Sequence, residues 1–242
     1  MLEVVGISKR FGGLQALDDI SFVVGEGEAV GLIGPNGSGK TTLFNVIAGA
    51  SRATSGSIVF RGRPITDIPA HEIARHGISR TFQLVRPFLN LTTADNVLAG
   101  VLFGIPRISR AEARRRARDV LERVGLSARA DDPAAELSLV ERKWLEVGRA
   151  LASEPKLLLL DEFMAGLTRN EMTRAVDLIK EVNGSGITIV VVEHIIKAVT
   201  ATCSRVIVLD AGTKLADGPL SAVVRDPAVI AAYLGSRRAD SQ

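Results

Sequence analysis

The residues best suited to chemistry are Gly34-Pro35-Asn36-Gly37-Ser38-Gly39-Lys40-Thr41, followed by Thr42. Two glycines separated by four residues, then a lysine and a hydroxyl, form a phosphate-binding loop. A chain that turns through glycines from a strand into a helix points several backbone N–H groups at one spot. The helix N-terminus adds partial positive charge there. Lys40 would reach terminal phosphates, and the Thr41 hydroxyl would hold Mg²⁺.

A second group follows four leucines, at Asp161-Glu162. A carboxylate at the carboxyl end of a buried strand, beside a phosphate loop, is an anionic anchor for Mg²⁺, and this is Asp161. Glu162 would face the attacking water as general base. His194 also ends an apolar run; its neutral ring either bonds a terminal phosphate oxygen or the water, or is a structural histidine. Gln83, at the end of the strand expected at 78–82, would touch Mg²⁺ or the water. Phe11 precedes Gly12-Gly13, so its ring either joins the core or lies exposed against a flat base.

The elements that must position these groups are legible in the hydrophobic pattern. Residues 29–33 read as a short buried strand, and 42–48 as a helix with one apolar face. Strands are expected at 2–7, 18–24, 58–60 and 78–82, with a short helix at 70–76. Buried parallel strands are expected at 157–160, 187–192 and 206–209, with a short strand at 214–216. Helices fill 170–183 and 219–234, and the tail from 236 is expected to fray. From 84 to 153 the pattern is helical. Ser109 with Glu112 forms a capping box, Ala113, Ala117, Val120, Leu121 and Val124 make one stripe, and Gly125 ends the helix. Arg114, Arg115, Arg116 and Arg118 fall off that stripe, as a solvated face or a contact for an acidic partner or lipid headgroups. A further helix opens at Glu136-Leu137-Ser138. The predicted organisation is an α/β core in two sequence segments, 1–83 and 154–242, around a helical insertion at 84–153.

Composition sets outer bounds. The 242 residues are 46% hydrophobic, enough for one large core or two small ones. A formal net charge of +3 is too mild to argue for nucleic acid. One cysteine, Cys203, excludes an internal disulfide and fits a reducing compartment. No secretory signal is recognisable, and no apolar window approaches the ~18 residues that span a bilayer.

Taken together, Phe11, the loop at 34–41, Gln83, Leu137-Ser138, Asp161-Glu162, Ala165-Gly166-Leu167 and His194 have the order and spacing of ABC-transporter ATP-binding subunits. The resemblance covers essentially the whole chain. Arg80-Thr81-Phe82-Gln83 and Tyr233-Leu234-Gly235 look most like subunits of branched-chain (hydrophobic) amino acid importers. The resemblance implies a P-loop NTPase (RecA-like) core with an antiparallel β subdomain and an inserted α-helical subdomain. It implies ATP and Mg²⁺ as ligands: Phe11 on adenine, residues 34–42 on the phosphates, Thr41, Gln83 and Asp161 on Mg²⁺. Glu162, His194 and Gln83 would serve the hydrolytic reaction. It further implies a second ATP-binding subunit, head to tail, whose phosphate loop Ser138 would help complete. Transmembrane permease subunits, and indirectly a substrate-binding protein, would be the other partners, with no nucleic acid. Such a subunit sits at the cytoplasmic face of the inner membrane.

The signature segment departs from the family pattern. Leu-Ser-Gly-Gly-Gln is usual, and this chain has Leu137-Ser138-Leu139-Val140-Glu141. Valine at the fourth position predicts a backbone held off or strained, hence a poor surface for a partner's ATP and an asymmetric heterodimer. Thr168 replaces a more common Asn or Asp at the expected seam.

Overall fold

A computed structural model describes residues 1–82 and 85–239 of the chain. Gln83 therefore lies outside the described residues. The chain opens with β1 (Leu2–Phe11) and β2 (Leu14–Val24), an antiparallel pair closed by the Phe11↔Leu14 register across the two glycines. Both strands run longer than their apolar cores predict, because the hairpin extends the ladder through polar residues. β4 (Ser55–Phe60) and the short β5 (Arg63–Pro64) complete a four-stranded sheet in the order β2-β1-β4-β5.

The central sheet has six strands: β3 (Ala29–Ile33), β6 (Ile78–Arg80), β7 (Leu157–Asp161), β8 (Thr188–Val192), β9 (Arg205–Asp210) and β10 (Thr213–Gly218). Their order is β10-β9-β3-β8-β7-β6, with only β10 antiparallel to its neighbour. Apart from Asp161 and Thr188 at strand ends, β3, β7 and β8 are apolar without alternation, and all three are fully buried, as expected for parallel strands covered on both faces. The two-residue period then sorts their side chains. Leu157, Leu159, Val190 and Val192 join one cluster with Leu43, Phe44 and Ile47 of α1 (Lys40–Ile47) and the inner face of the four-stranded sheet. Leu158, Leu160, Ile189 and Val191 join the opposite cluster, built on helices.

Those helices include α3 (Thr93–Gly104), α4 (Arg110–Arg123) and α5 (Leu139–Ala152), which lie in sequence between β6 and β7. A small α2 (Ala70–Arg75) precedes β6, and α6 (Arg169–Gly184) and α7 (Ile196–Thr202) flank β8. On α4, Ser109 caps the Glu112 N–H, and the stripe Ala113, Ala117, Val120, Leu121 is buried. Arg115 and Arg116 both pair with Glu112 on the outer side. In the core between α5 and β7, the Trp144 and Phe163 rings meet edge-on with centroids 5.0 Å apart, and Arg174 lies over Trp144 at 4.4 Å.

Three expectations need correction. β6 stops at Arg80, not at Phe82, because side chains take over the ladder: Thr81 Oγ1 accepts the Asp161 N–H, and Glu146 accepts the Phe82 N–H at 3.1 Å. The helix expected from Glu136 begins at Leu139 after a 3₁₀ turn at Ala134–Glu136. The C-terminal helix is two, α8 (Leu220–Val223) and α9 (Pro227–Ala239). Pro227 disfavours helical backbone at Asp226, whose carboxylate instead accepts the Ala228 N–H. α9 also runs on to Ala239, past the start of the tail expected to fray from 236.

Candidate functional site

The loop between β3 and α1 is shaped by steric exclusion. Gly34 has φ +152°, and a Cβ there would stand 2.1 Å from the Leu209 carbonyl oxygen. Gly39 has φ +102°, and a Cβ there would meet Leu17 and the Ala16 carbonyl at 2.7 and 2.8 Å. Only glycine permits this approach of the loop to β2 and β9. The loop then feeds α1, whose first residue is Lys40. Lys40 Nζ donates to the carbonyls of Gly34 (2.9 Å) and Pro35 (2.8 Å), with Ser38 Oγ at 3.4 Å. Burial lowers the Lys40 pKa, against the pull of Glu162 and Asp161, which raise it.

Above the loop opens a cavity of about 1020 Å³. Phe11, Asn36, Gly37, Gly39, Lys40, Thr41, Thr42, Glu162 and His194 line it together. Phe11 is half exposed with Lys9 Nζ 4.7 Å from its ring centroid, so the exposed reading of that ring holds and the core reading does not. Asp161 lies beneath, 1% exposed. Counting by twos along β7 from Leu157 and Leu159 turns it towards α1. Its Oδ1 is buried with no hydrogen-bond partner in the protein, which is what a ligand for a hard cation requires. Its Oδ2 stands 3.3 Å from Arg80 Nη2. Burial raises the Asp161 pKa; Arg80 acts against the shift, and Glu162 adds to it. Thr41 and Asp161 are thus the residues that would hold an Mg²⁺ ion here, and among the described residues no cluster of three or more His, Cys, Asp or Glu offers an all-protein metal cage.

Glu162 leaves the strand in the left-handed region, φ +48°, while its N–H donates to the Val192 carbonyl at 2.9 Å. A non-glycine residue there carries backbone strain of about 1 kcal/mol, and the turn swings its side chain into the cavity. His194 sits just past β8, exposed, on the same rim.

Ser138 does not line the cavity. It is exposed at the N-cap of α5, in a capping box with Glu141: Ser138 N–H donates to Glu141 Oε2 at 2.8 Å, and the Glu141 N–H donates to Ser138 Oγ at 3.3 Å. Val140 lies within α5, partly buried against the helical core, and is not among the positive-φ residues. The expectation of strain at Val140 is therefore overturned, because the segment starts as an ordinary helix. Thr168 makes an equivalent capping box with Glu171 at the start of α6.

Three residues escaped the sequence reading. Arg80 bridges Asp161 and Asn45 of α1, with Nη1 2.6 Å from Asn45 Oδ1. Glu193, 1% exposed, accepts the Met164 N–H at 2.7 Å. Glu146, 6% exposed, has its pKa pushed up to about 7 by burial, against the Phe82 N–H it accepts. The available signals were Glu146 set between Leu145 and Val147 and Glu193 closing the apolar run 189–192; Arg80, between Ser79 and Thr81, gave none.

Strand, glycine loop, helix and strand-end carboxylates define a nucleotide-binding α/β protein of the P-loop class. The ABC transporter family model matches residues 17–165, and the model described as branched-chain amino acid ATP-binding cassette transporter matches 213–239. The chain belongs to the ABC transporter family, as an ATP-hydrolysing subunit. It is 40% identical to the high-affinity branched-chain amino acid transport ATP-binding protein LivG of Salmonella typhimurium, covering 97% of this chain and 98% of LivG. It is 37% identical to the corresponding protein BraF of Pseudomonas aeruginosa, over 97% and 98%. Among solved structures, the ADP conformation of MJ1267, an ATP-binding cassette of an ABC transporter, superposes with a TM-score of 0.85. That pair is 33% identical, with 97% and 98% covered.

Proposed function

We propose that this chain energises an importer of branched-chain or other hydrophobic amino acids, bound at the cytoplasmic face of the cell membrane to permease subunits. The observation that carries the catalytic part is the single cavity shared by Phe11, the loop, Glu162 and His194. Phe11 stacks on adenine. The loop amides and Lys40 wrap the phosphates, so that bound phosphate exchanges a neutral carbonyl partner of Lys40 for an anionic one. Thr41, Asp161 and Gln83 would hold an Mg²⁺ ion, which would supply positive charge to offset that of the phosphates. Glu162 takes a proton from the attacking water, and His194 donates to the terminal phosphate.

Support for the cargo is the identity to LivG and BraF across the full chain. Support for a two-subunit site is the dimeric MJ0796 cassette bound to ADP and Pi, 27% identical with a TM-score of 0.84. Ser138 would then act on the ATP of the partner. The permease is given a docking place by a groove of about 550 Å³ among α2, α3 and α5, lined by Ala74, Phe82, Phe88, Phe103 and Arg149. Among the described residues no helix is long and apolar enough to cross a membrane. The substrate-binding protein meets the permease, not this chain.

A second feature favours an asymmetric pair. The Glu141 carboxylate already sits at the N-terminus of α5, with Arg129 3.5 Å away. A partner's terminal phosphate at that helix end would meet a negative charge.

The test is Glu162→Gln in the full chain purified with its copurifying membrane subunits. Turnover falls by about 10²-fold or more, while ATP stays bound and holds the ATP-binding subunits together. Undiminished turnover overturns the catalytic assignment. Uptake of labelled leucine into vesicles, lost with Lys40→Ala, tests the cargo.

A further inference from the structure

The turn that carries Glu162 is fastened to the end of β8 twice. The main-chain fastening is the Glu162 N–H on the Val192 carbonyl. The second is a side chain: Glu193 Oε1 accepts the N–H of Met164, two residues past Glu162, at 2.7 Å. Glu193 and Met164 are both buried, at 1% and 0% exposed, and Glu193 Oε2 is buried with no hydrogen-bond partner. From the other side, Lys143 of α5 donates to the carbonyl of Ala165 at 2.5 Å, with that of Phe163 at 3.4 Å. The segment after Glu162 therefore has an N–H held by an acid and its carbonyls held by a lysine. The acid is the residue immediately before His194.

A buried carboxylate is costly in an apolar setting, and an apolar side chain would fill this volume with less penalty. Retaining it keeps a buried hydrogen bond between two loops, which an apolar side chain could not make. One loop carries Glu162 and the other carries His194. A shift of one loop must move the other or break that bond inside the core.

We infer that Glu193 is a positioning residue that locks the Glu162 turn to the His194 turn, so that both reach the terminal phosphate in one fixed relation. The inference rests on the ATPase reading above and adds a residue to it. Glu193 is buried and does not line the cavity; it acts through the Met164 amide and through its own neighbour.

The experiment compares Glu193→Leu and Glu193→Gln with the parent, in the full chain with its copurifying subunits. Glu193→Leu lowers kcat about tenfold or more while KM for ATP and binding of a fluorescent ATP analogue stay within about threefold. Glu193→Gln keeps an acceptor for the Met164 N–H and restores kcat to within about threefold of the parent. Amide hydrogen exchange supplies a readout apart from turnover: Met164 is protected in the parent and in Glu193→Gln, and exchanges faster in Glu193→Leu. Unchanged kcat in Glu193→Leu, or loss of nucleotide binding in step with kcat, overturns the positioning role. Rapid exchange at Met164 in the parent overturns it even if a variant does not fold. A parent that shows no ATP hydrolysis overturns the ATPase reading itself, and is recognised by Glu162→Gln having nothing to abolish.

Discussion

Arg80 Nη2 stands 3.3 Å from Asp161 Oδ2, and Nη1 of the same guanidinium stands 2.6 Å from Asn45 of α1. One arginine on the edge strand β6 thus orients the carboxylate proposed to hold Mg²⁺ and ties it to the helix that leaves the phosphate loop. The Arg80 and Asp161 side chains are 9% and 0% exposed, so removal of either leaves a buried charge without its counterpart. Arg80→Ala is expected to destabilise the chain by about 2–4 kcal/mol, read by urea denaturation. Its ATPase should need more Mg²⁺ for half-maximal rate. A loss under about 0.5 kcal/mol would mean the pair carries no structural weight.

Gly34→Ala puts a methyl 2.1 Å from the Leu209 carbonyl oxygen. Neither group is the end of a flexible side chain, so loop or β9 must move. The expected result is loss of nucleotide binding, with a stability cost of about 3 kcal/mol or more. Isothermal titration with ATP on folded protein checks it; affinity equal to the parent contradicts the described loop.

Phe11→Ala removes a half-exposed ring that supports little of the core. Its thermal midpoint should stay near that of the parent. If the ring stacks on adenine, affinity falls by roughly 1–3 kcal/mol, about 5- to 150-fold. The loss should be equal for ATP and ADP, since both carry the base. A Phe11→Trp variant that binds as well as the parent would support stacking over simple shape.

Glu146 gives a pH prediction. Burial raises its pKa to about 7 from the ordinary 4.5. The folded state holds the proton more tightly than the unfolded chain, so this group's contribution to stability is full below pH 4.5 and fades as pH rises through about 7. Glu146→Gln keeps an acceptor for the Phe82 N–H and cannot ionise. Relative to the parent it should gain stability at pH 8, by about 1–3 kcal/mol, with little difference near pH 4. Equal stability profiles across pH 4–8 would exclude a strained acid at this place.

Much of the molecule was readable along the chain. Uninterrupted leucines at 157–160 announced a doubly covered parallel strand, and Gly34 to Thr41 a turn into a helix, because both depend on neighbours a few residues away. Ser109 and Glu112 declared their helix start for the same reason. Local reading failed where a side chain displaced the backbone ladder, as Thr81 and Glu146 do at the end of β6, and where Asp226-Pro227 cut one expected helix into two.

The order of residues alone settled which groups could grip phosphate and which carboxylates stood at strand ends, since backbone turns and side-chain periods are short-range properties. Only the tertiary structure decided that Arg80 faces Asp161, that Glu193 reaches Met164, and that Phe11 and His194 open on one cavity. Those pairs are 81, 29 and 183 positions apart, and their meeting depends on the parallel strand order β3-β8-β7-β6 and on the four-stranded sheet, where Phe11 ends β1. Register across a sheet is set by the packing of both its faces at once, which no single stretch of sequence contains.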